Sequence, residues 1–232
     1  MTEKEMFNFI NEQNQQGTGF SINEKERGLT NVFSALMRKV YVWMTLALVI
    51  TGVTAYGVAS SPTLLMTIMS NRILFWGLII AEFGLVFAIS GAINKLSLST
   101  ATLLFIIYSV INGAMLSSIF IIYQPMVIAK VFFITAGTFG AMAFYGYSTK
   151  KDLTSFGKIL FMALIGLIIA TVVNFFLKSP GFDYILSYIG VAIFIGLTAW
   201  DSQKIKQMLQ TQYDMSEGAQ KIALLGALTL YL

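Results

Sequence analysis

The sequence predicts an all-α integral membrane protein, a bundle of transmembrane helices. Three observations lead there. Hydrophobic residues make up 56% of the 232 residues and charged ones 11%, with a mean hydropathy of +0.75, a balance foreign to an ordinary soluble domain. Apolar runs long enough to cross a bilayer recur regularly, each bracketed by charge or turn residues. The lysines and arginines of the short connections fall mostly on one side.

The first 39 residues form a polar tail. Residues 1–19 mix Asn, Gln, Glu and Gly with scattered Phe and Ile, and 21–39 are a charged lead-in ending at Arg38 and Lys39. No apolar core with a small-residue cleavage site follows a basic start, so a signal peptide is not expected. From Val40 the bundle, 40–232, begins. Spans are expected at about 40–59, 73–93, 101–123, 126–148, 156–177 and 184–200, separated by Ser61-Pro62 and Arg72, Lys95, Gln124-Pro125, Lys150-Lys151-Asp152 and Lys178-Ser179-Pro180. A seventh, partial span covers 219–232. Its fourteen residues reach about 21 Å against a hydrocarbon core of roughly 30 Å, so the native chain is expected to continue past Leu232 rather than to end in a wet cavity. No internal repeat is evident, which leaves the inverted-repeat design of many transporters without support.

With the N-terminus on the cytoplasmic side, the inner face collects Arg38, Lys39, Lys95, Lys150, Lys151, Lys158, Lys204, Lys206 and Lys221, and the outer face Arg72, Lys130 and Lys178. That asymmetry sets the expected orientation. Tyr41, Trp43, Tyr145, Tyr147 and Trp200 then fall at inner helix ends and Tyr123 at an outer one, as interfacial aromatics do.

The chain contains neither cysteine nor histidine, which excludes disulfides and makes zinc, copper and haem sites of the usual kinds unexpected. A switch working near neutral pH would have to use carboxylates perturbed by burial or by a neighbouring acid. Asp201 stands out: it follows seventeen uncharged residues, 184–200, and so sits at or just inside the inner surface. Ionisable groups at such depth are costly and usually functional, although a solvated interfacial Asp followed by Lys204 and Lys206 fits the same position. Glu82, near the middle of the second span, is the other intramembrane acid. Small residues at 77, 81, 84, 88 and 91 form a stripe suited to close helix packing, and Glu82 projects roughly 140° away from it, beside Phe75, Ile79, Val86 and Ile89. This helix is therefore expected to have neighbours on two sides and to lie centrally. Asn112 and Asn174 are expected to form hydrogen bonds between helices.

The string Gly-Leu-Thr-Ala-Trp-Asp-Ser-Gln-Lys-Ile-Lys at 196–206, followed by Ala-Leu-Leu-Gly-Ala-Leu-Thr-Leu-Tyr-Leu at 223–232, resembles the last two helices of the transmembrane Bax-inhibitor motif family. The Lys150-Lys151-Asp152-Leu153 loop, Glu82 and the spacing extend the resemblance from about residue 30 onward. It implies a seven-transmembrane-helix bundle with a central seventh helix, here incomplete. It also implies a pH-sensitive calcium leak channel, gated by a pair of aspartates sharing a proton at the cytoplasmic mouth. The helix-six aspartate corresponds to Asp201, the sensor and the candidate calcium ligand; its partner would follow directly after Leu232. The basic latch of the family lies near the inner end of helix two, where this chain has Lys95 and no Arg.

The pair has a plain physical logic. Two close carboxylates in a partly dry mouth cannot both ionise cheaply and titrate as a unit. Singly protonated they share a hydrogen bond; doubly ionised they repel each other and attract a hard cation. The leading expectation is thus a proton-gated calcium leak of a bacterial inner membrane, with Asp201 as half of the gate, Glu82 as a candidate on the ion path and Lys95 as candidate latch. A non-conducting regulator of a membrane protease or of stress and cell-death signalling, with the polar tail binding a membrane-protein partner, and a proton-coupled transporter of a small solute are the alternatives. No catalytic constellation is present, so an enzyme is not expected. Nor is a cofactor or nucleic acid; the expected partners are the lipid bilayer, calcium ions and protons.

Overall fold

The computed structural model describes residues 3–232, with side chains for 4–6 and 26–232. The first element, α1 (Glu3–Ala59), is one helix of 57 residues, about 85 Å long at 1.5 Å per residue and so nearly three times a hydrocarbon thickness of roughly 30 Å. Leu36, Val40, Ala47, Thr51 and Ala55 recur every three or four positions or their multiples and are buried, whereas Val42, Leu46, Val49, Val53 and Tyr56 on the opposite side are exposed. An apolar helix with one face in protein and the other bare is what a span between a bundle and lipid requires. Burial begins at Leu36 and Met37, so the packed part of α1 starts within the charged lead-in.

The chain then turns through α2 (Pro62–Ser70), a short helix inside the connection after the first span. Ser61 caps it, accepting the Leu64 N–H at 3.5 Å, and Pro62 supplies a first-turn residue with no N–H to satisfy. Next comes α3 (Arg72–Ala92), started by Asn71, whose Oδ1 accepts the N–H groups of Ile73 and Leu74 at 3.1 Å each. Beyond it are α4 (Leu98–Leu116), prolonged by the single turn α5 (Ile119–Ile122), then α6 (Pro125–Ser148), α7 (Thr154–Leu177), α8 (Pro180–Gln210) and α9 (Glu217–Tyr231). Among the described residues six segments are long and apolar enough to cross a membrane: α1 from Glu26, α3, α4 with α5, α6, α7 and α8. Each coincides with one of the six expected spans. The protein is an all-α integral membrane bundle.

The shorter α9 occupies the middle. Ala219, Ala223, Leu224, Gly226, Ala227 and Leu228 are all buried, and α9 packs against α1, α4 and α8. Alanine and glycine at these positions let the surrounding backbones approach closely. The buried cluster combines Leu36, Met37, Val40 and Ala47 of α1, Ile89 of α3, Ala101, Phe105 and Tyr108 of α4 and Ile205 and Leu209 of α8 with α9.

The expectation for the second span needs correction. α3 is peripheral, packing chiefly on α4, and Ile89 is its one buried helical residue. A Cβ placed on Gly77, Gly84 or Gly91 would meet nothing within 4 Å, so the small-residue stripe is not a packed face. The face that carries Glu82, Val86 and Ile89 is the one turned to the bundle. The spacing of small residues was real; which face meets protein was set by the neighbours. Asn112 is corrected too: its Nδ2 donates to the Tyr108 hydroxyl at 3.5 Å, one turn back on the same helix. Asn174 does join two helices, donating to Ser179 O at 3.3 Å and to Asp183 near the start of α8.

Candidate functional site

Asp201 lies 21 residues after Pro180, about 31 Å along α8, which is roughly one hydrocarbon thickness. It is half-buried, and the residues around it are tightly held. Immediately before it, the Trp200 ring lies against α7 where Gly157 has no side chain; a Cβ there would come within 2.1 Å of the ring. One residue earlier, Ala199 meets α6 at Gly146, where a Cβ would stand 2.0 Å from the Ala199 carbonyl oxygen. These two glycines let α8 seat between α6 and α7.

Immediately after Asp201, Ser202 is fully buried; its Oγ donates to Ala143 O at 2.7 Å and stands 3.3 Å from the Tyr41 hydroxyl. Gln203 clasps the α6–α7 loop: its Oε1 accepts the Leu153 N–H at 2.8 Å, and its Nε2 donates to Lys151 O at 2.7 Å. Lys204 turns back over the Trp200 ring, 5.4 Å from its centroid. Ile205 is buried beside Gly226 of α9. Lys206 donates to Tyr147 O at 2.7 Å and lies 5.3 Å from the Tyr147 ring centroid.

Against this background Asp201 is distinct. No hydrogen bond or ion pair joins its carboxylate to another described residue, and its nearest charged neighbour is Lys204. Titratable groups that the contacts bring to this stretch include Tyr41 of α1, bonded to Ser202, and Tyr147 of α6, bonded through its carbonyl to Lys206, besides Lys204 and Lys206 on α8 itself. No cluster of three or more acidic side chains that could hold a metal ion occurs among the described residues.

Lys95 is exposed on the turn after α3, its N–H bonded to Ala92 O at 2.8 Å. Next to that turn Glu217 accepts the Leu98 N–H at 2.8 Å, tying the start of α9 to the start of α4. Ile205 lies level with Gly226, and α8 and α9 run antiparallel. Asp201 is therefore about 6 Å from that level in one direction and Glu217 about 13 Å in the other. The two places are roughly 20 Å apart along the helices, and no hydrogen bond or ion pair joins Lys95 to Asp201.

The second acid lies deeper. Glu82 is ten residues into α3, and its Oε1 is buried without a hydrogen-bond partner. It is within electrostatic reach of Tyr108 and Tyr231, whose rings meet edge to face at 5.6 Å. Thr51 Oγ1 donates to Ser109 O at 2.9 Å and lies 2.5 Å from the Tyr231 hydroxyl. Because Thr51 has a single hydroxyl proton, Tyr231 is the donor of that second bond. Thr51, Tyr108, Ser109, Tyr231 and Glu82 thus form a polar patch in the apolar interior, one the sequence signals by hydroxyls within otherwise apolar runs. Gln203 and Lys206 were visible in the 196–206 string; their partners, backbone carbonyls and an amide some fifty positions away, were not.

The half-buried Asp201 within α8, with the Trp-Asp-Ser-Gln string on one helix and the Leu-Tyr-Leu string on the next, agrees with the comparison of the whole chain. A family model described as inhibitor of apoptosis-promoting Bax1 matches residues 33–232. The chain belongs to this family. Among Bax1-inhibitor relatives, inner membrane protein YbhL of Escherichia coli K12 is 48% identical over 198 residues, 84% of each chain. An uncharacterized protein of Borreliella burgdorferi is 46% identical over 196 residues, again 84% of each. One from Rickettsia prowazekii is 42% identical over 198 residues, covering 84% of this chain and 82% of its own length.

Proposed function

We propose that this chain is a pH-sensitive calcium leak channel of a bacterial inner membrane, gated by protonation at Asp201. One observation carries the reading: in a motif whose Ser202, Gln203 and Lys206 are all engaged, the half-buried Asp201 carboxylate has no hydrogen-bond or ion-pair partner among the described residues. Taking a carboxylate out of water disfavours its charged form, and a second acid beside it does so more strongly. The basic end of the bundle faces the cytoplasm, as the nine-to-three distribution of Lys and Arg favours, so Asp201 reads cytoplasmic pH. An acid seven residues beyond Gly226 on α9 would lie within about one helical turn of the level of Asp201, by the register of Ile205 on Gly226.

Protonated once, such a pair shares a hydrogen bond and holds α8 to α9. Fully ionised, it repels, opens the mouth and offers hard oxygen ligands to Ca²⁺. The Glu82 carboxyl, one oxygen of it buried and within electrostatic reach of Tyr108 and Tyr231, supplies the next acidic group along the path. The bilayer, calcium ions and protons are then its partners, and no enzymatic step or cofactor is involved. The alternative of a regulator without conductance draws support from α1, which extends from Glu3 well beyond the packed residues that start near Val32 and so offers a surface to a membrane-protein partner.

Calcium entry into liposomes containing only this protein, followed from about pH 6 to about pH 8, separates the readings. Flux that rises as Asp201 ionises is expected. Absence of flux at every pH would favour the regulator, and saturable uptake of an organic solute would favour a proton-coupled transporter.

A further inference from the structure

The hydrogen bonds divide the bundle into two bodies. One contains α6, α7 and α8. Ser202 and Lys206 of α8 bond to Ala143 O and Tyr147 O of α6, Gly146 and Gly157 admit Ala199 and Trp200 at distances no side chain would allow, and Gln203 holds Leu153 N–H and Lys151 O of the loop between α6 and α7. The other contains α1, α4 and α9. Lys39 donates to Gln220 Oε1 at 2.5 Å, Tyr231 bonds to Thr51, and Glu217 takes the Leu98 N–H. Across the seam between the bodies the described residues offer one side-chain hydrogen bond, Tyr41 to Ser202, at 3.3 Å. Where α8 meets α9 and α1 the contacts are apolar: Ile205 lies against Gly226, and Ile205 and Leu209 are buried among residues of α1 and α9.

Asp201 stands on α8 at that seam. Packed interfaces rearrange as bodies rather than deform continuously, and the weakly bonded one moves first. We propose that Gln203 is the positioning residue of this site: its carboxamide binds α8 to the α6–α7 loop, so that α6, α7 and α8 carry Asp201 as one rigid body and the mouth opens along the seam with α1 and α9. Gln203 touches neither ion nor proton; it acts by making the motion of Asp201 that of three helices. The inference rests on the reading of Asp201 as the gate, but its test does not need calcium flux.

The chain lacks cysteine, so introduced pairs can be spin-labelled without background. Ser155→Cys with Gln207→Cys reports α7 against α8, and Ser34→Cys with Gln207→Cys reports α1 against α8; all three positions are exposed. Distances by pulsed electron paramagnetic resonance, in liposomes near pH 6 and near pH 8, are expected to stay fixed for the first pair and to change for the second. Gln203→Leu should broaden the first distribution at both pH values. It should also raise calcium flux at the closed pH roughly tenfold, the factor that about 1.4 kcal/mol represents, on the order of two neutral hydrogen bonds.

Equal pH response of both pairs, or of neither, overturns the two-body division. A Gln203→Leu distribution as narrow as the parent's overturns the role of Gln203. If the variant does not fold, the parent's two pairs still decide whether the bodies move as stated. Absence of flux from a parent whose α1–α8 distance does respond to pH would reject the calcium reading while leaving the division intact.

Discussion

Asp201 and Glu82 are the two acids whose surroundings differ most from water, and they invite opposite experiments. Asp201→Asn keeps the size of the side chain but cannot release a proton. Calcium flux through the variant is expected to be flat with pH; a profile like the parent's would make Asp201 a plain interfacial residue. Glu82 lies within electrostatic reach of Tyr108 and Tyr231 and has a buried, unpartnered oxygen. Glu82→Gln replaces a carboxyl with an amide of the same shape, so thermal stability is expected to change little while flux falls. The reverse result, retained flux with a large loss of thermal stability, would assign Glu82 to structure. Both residues were found in the sequence by one argument, the cost of an ionisable group in hydrocarbon. That argument locates an acid but not its partners: the spacing of charges could not show that Lys95 lies near Glu217 rather than near Asp201, because the distance depends on how α8 and α9 slide past each other.

At the scale of the helices, close approach is the dominant device. α8 reaches its place only because Gly146 and Gly157 leave room for Ala199 O and Trp200. Gly157→Ala would drive a methyl group into the indole ring, and overpacking of this kind typically costs about 1–3 kcal/mol. A clear fall in the thermal midpoint of the purified protein is expected, whereas Gly84→Ala on the bare side of α3, where a Cβ meets nothing within 4 Å, should leave the midpoint unchanged or raise it slightly. The contrast explains why the sequence argument failed for α3: a stripe of small residues is compatible equally with a packed face and with a face open to lipid.

For the whole molecule, the polar end is tied together by exposed carboxylates. Glu217 accepts the Leu98 N–H and pairs with Lys221 at 3.0 Å; the hydrogen bond from Lys221, followed by that from Leu98, holds its carboxyl below the usual range. Asp152 and Asp214 are lowered similarly, by hydrogen bonds from Thr154 and Ser216. A group whose folded value is depressed stabilises the fold above its unfolded value, and that contribution is lost as pH falls through the folded one. Thermal stability is therefore expected to decline below the ordinary carboxylate range, and Glu217→Gln to lessen the decline; melting curves of both proteins from about pH 3 to about pH 7 check it. By itself the sequence determined the class, the six spans and the Lys and Arg asymmetry, because hydropathy and charge act locally along a chain in a bilayer; it ended the sixth helix at 200, whereas α8 runs on to Gln210 with Asp201 inside it. Only the tertiary structure decided that α3 is at the edge, and that Gln203 and Lys206 spend their polar groups on backbone some fifty residues away. Those outcomes depend on which helices meet and at what register, and lipid is as apolar as a neighbouring helix, so hydropathy cannot distinguish a side chain that faces protein from one that faces the membrane.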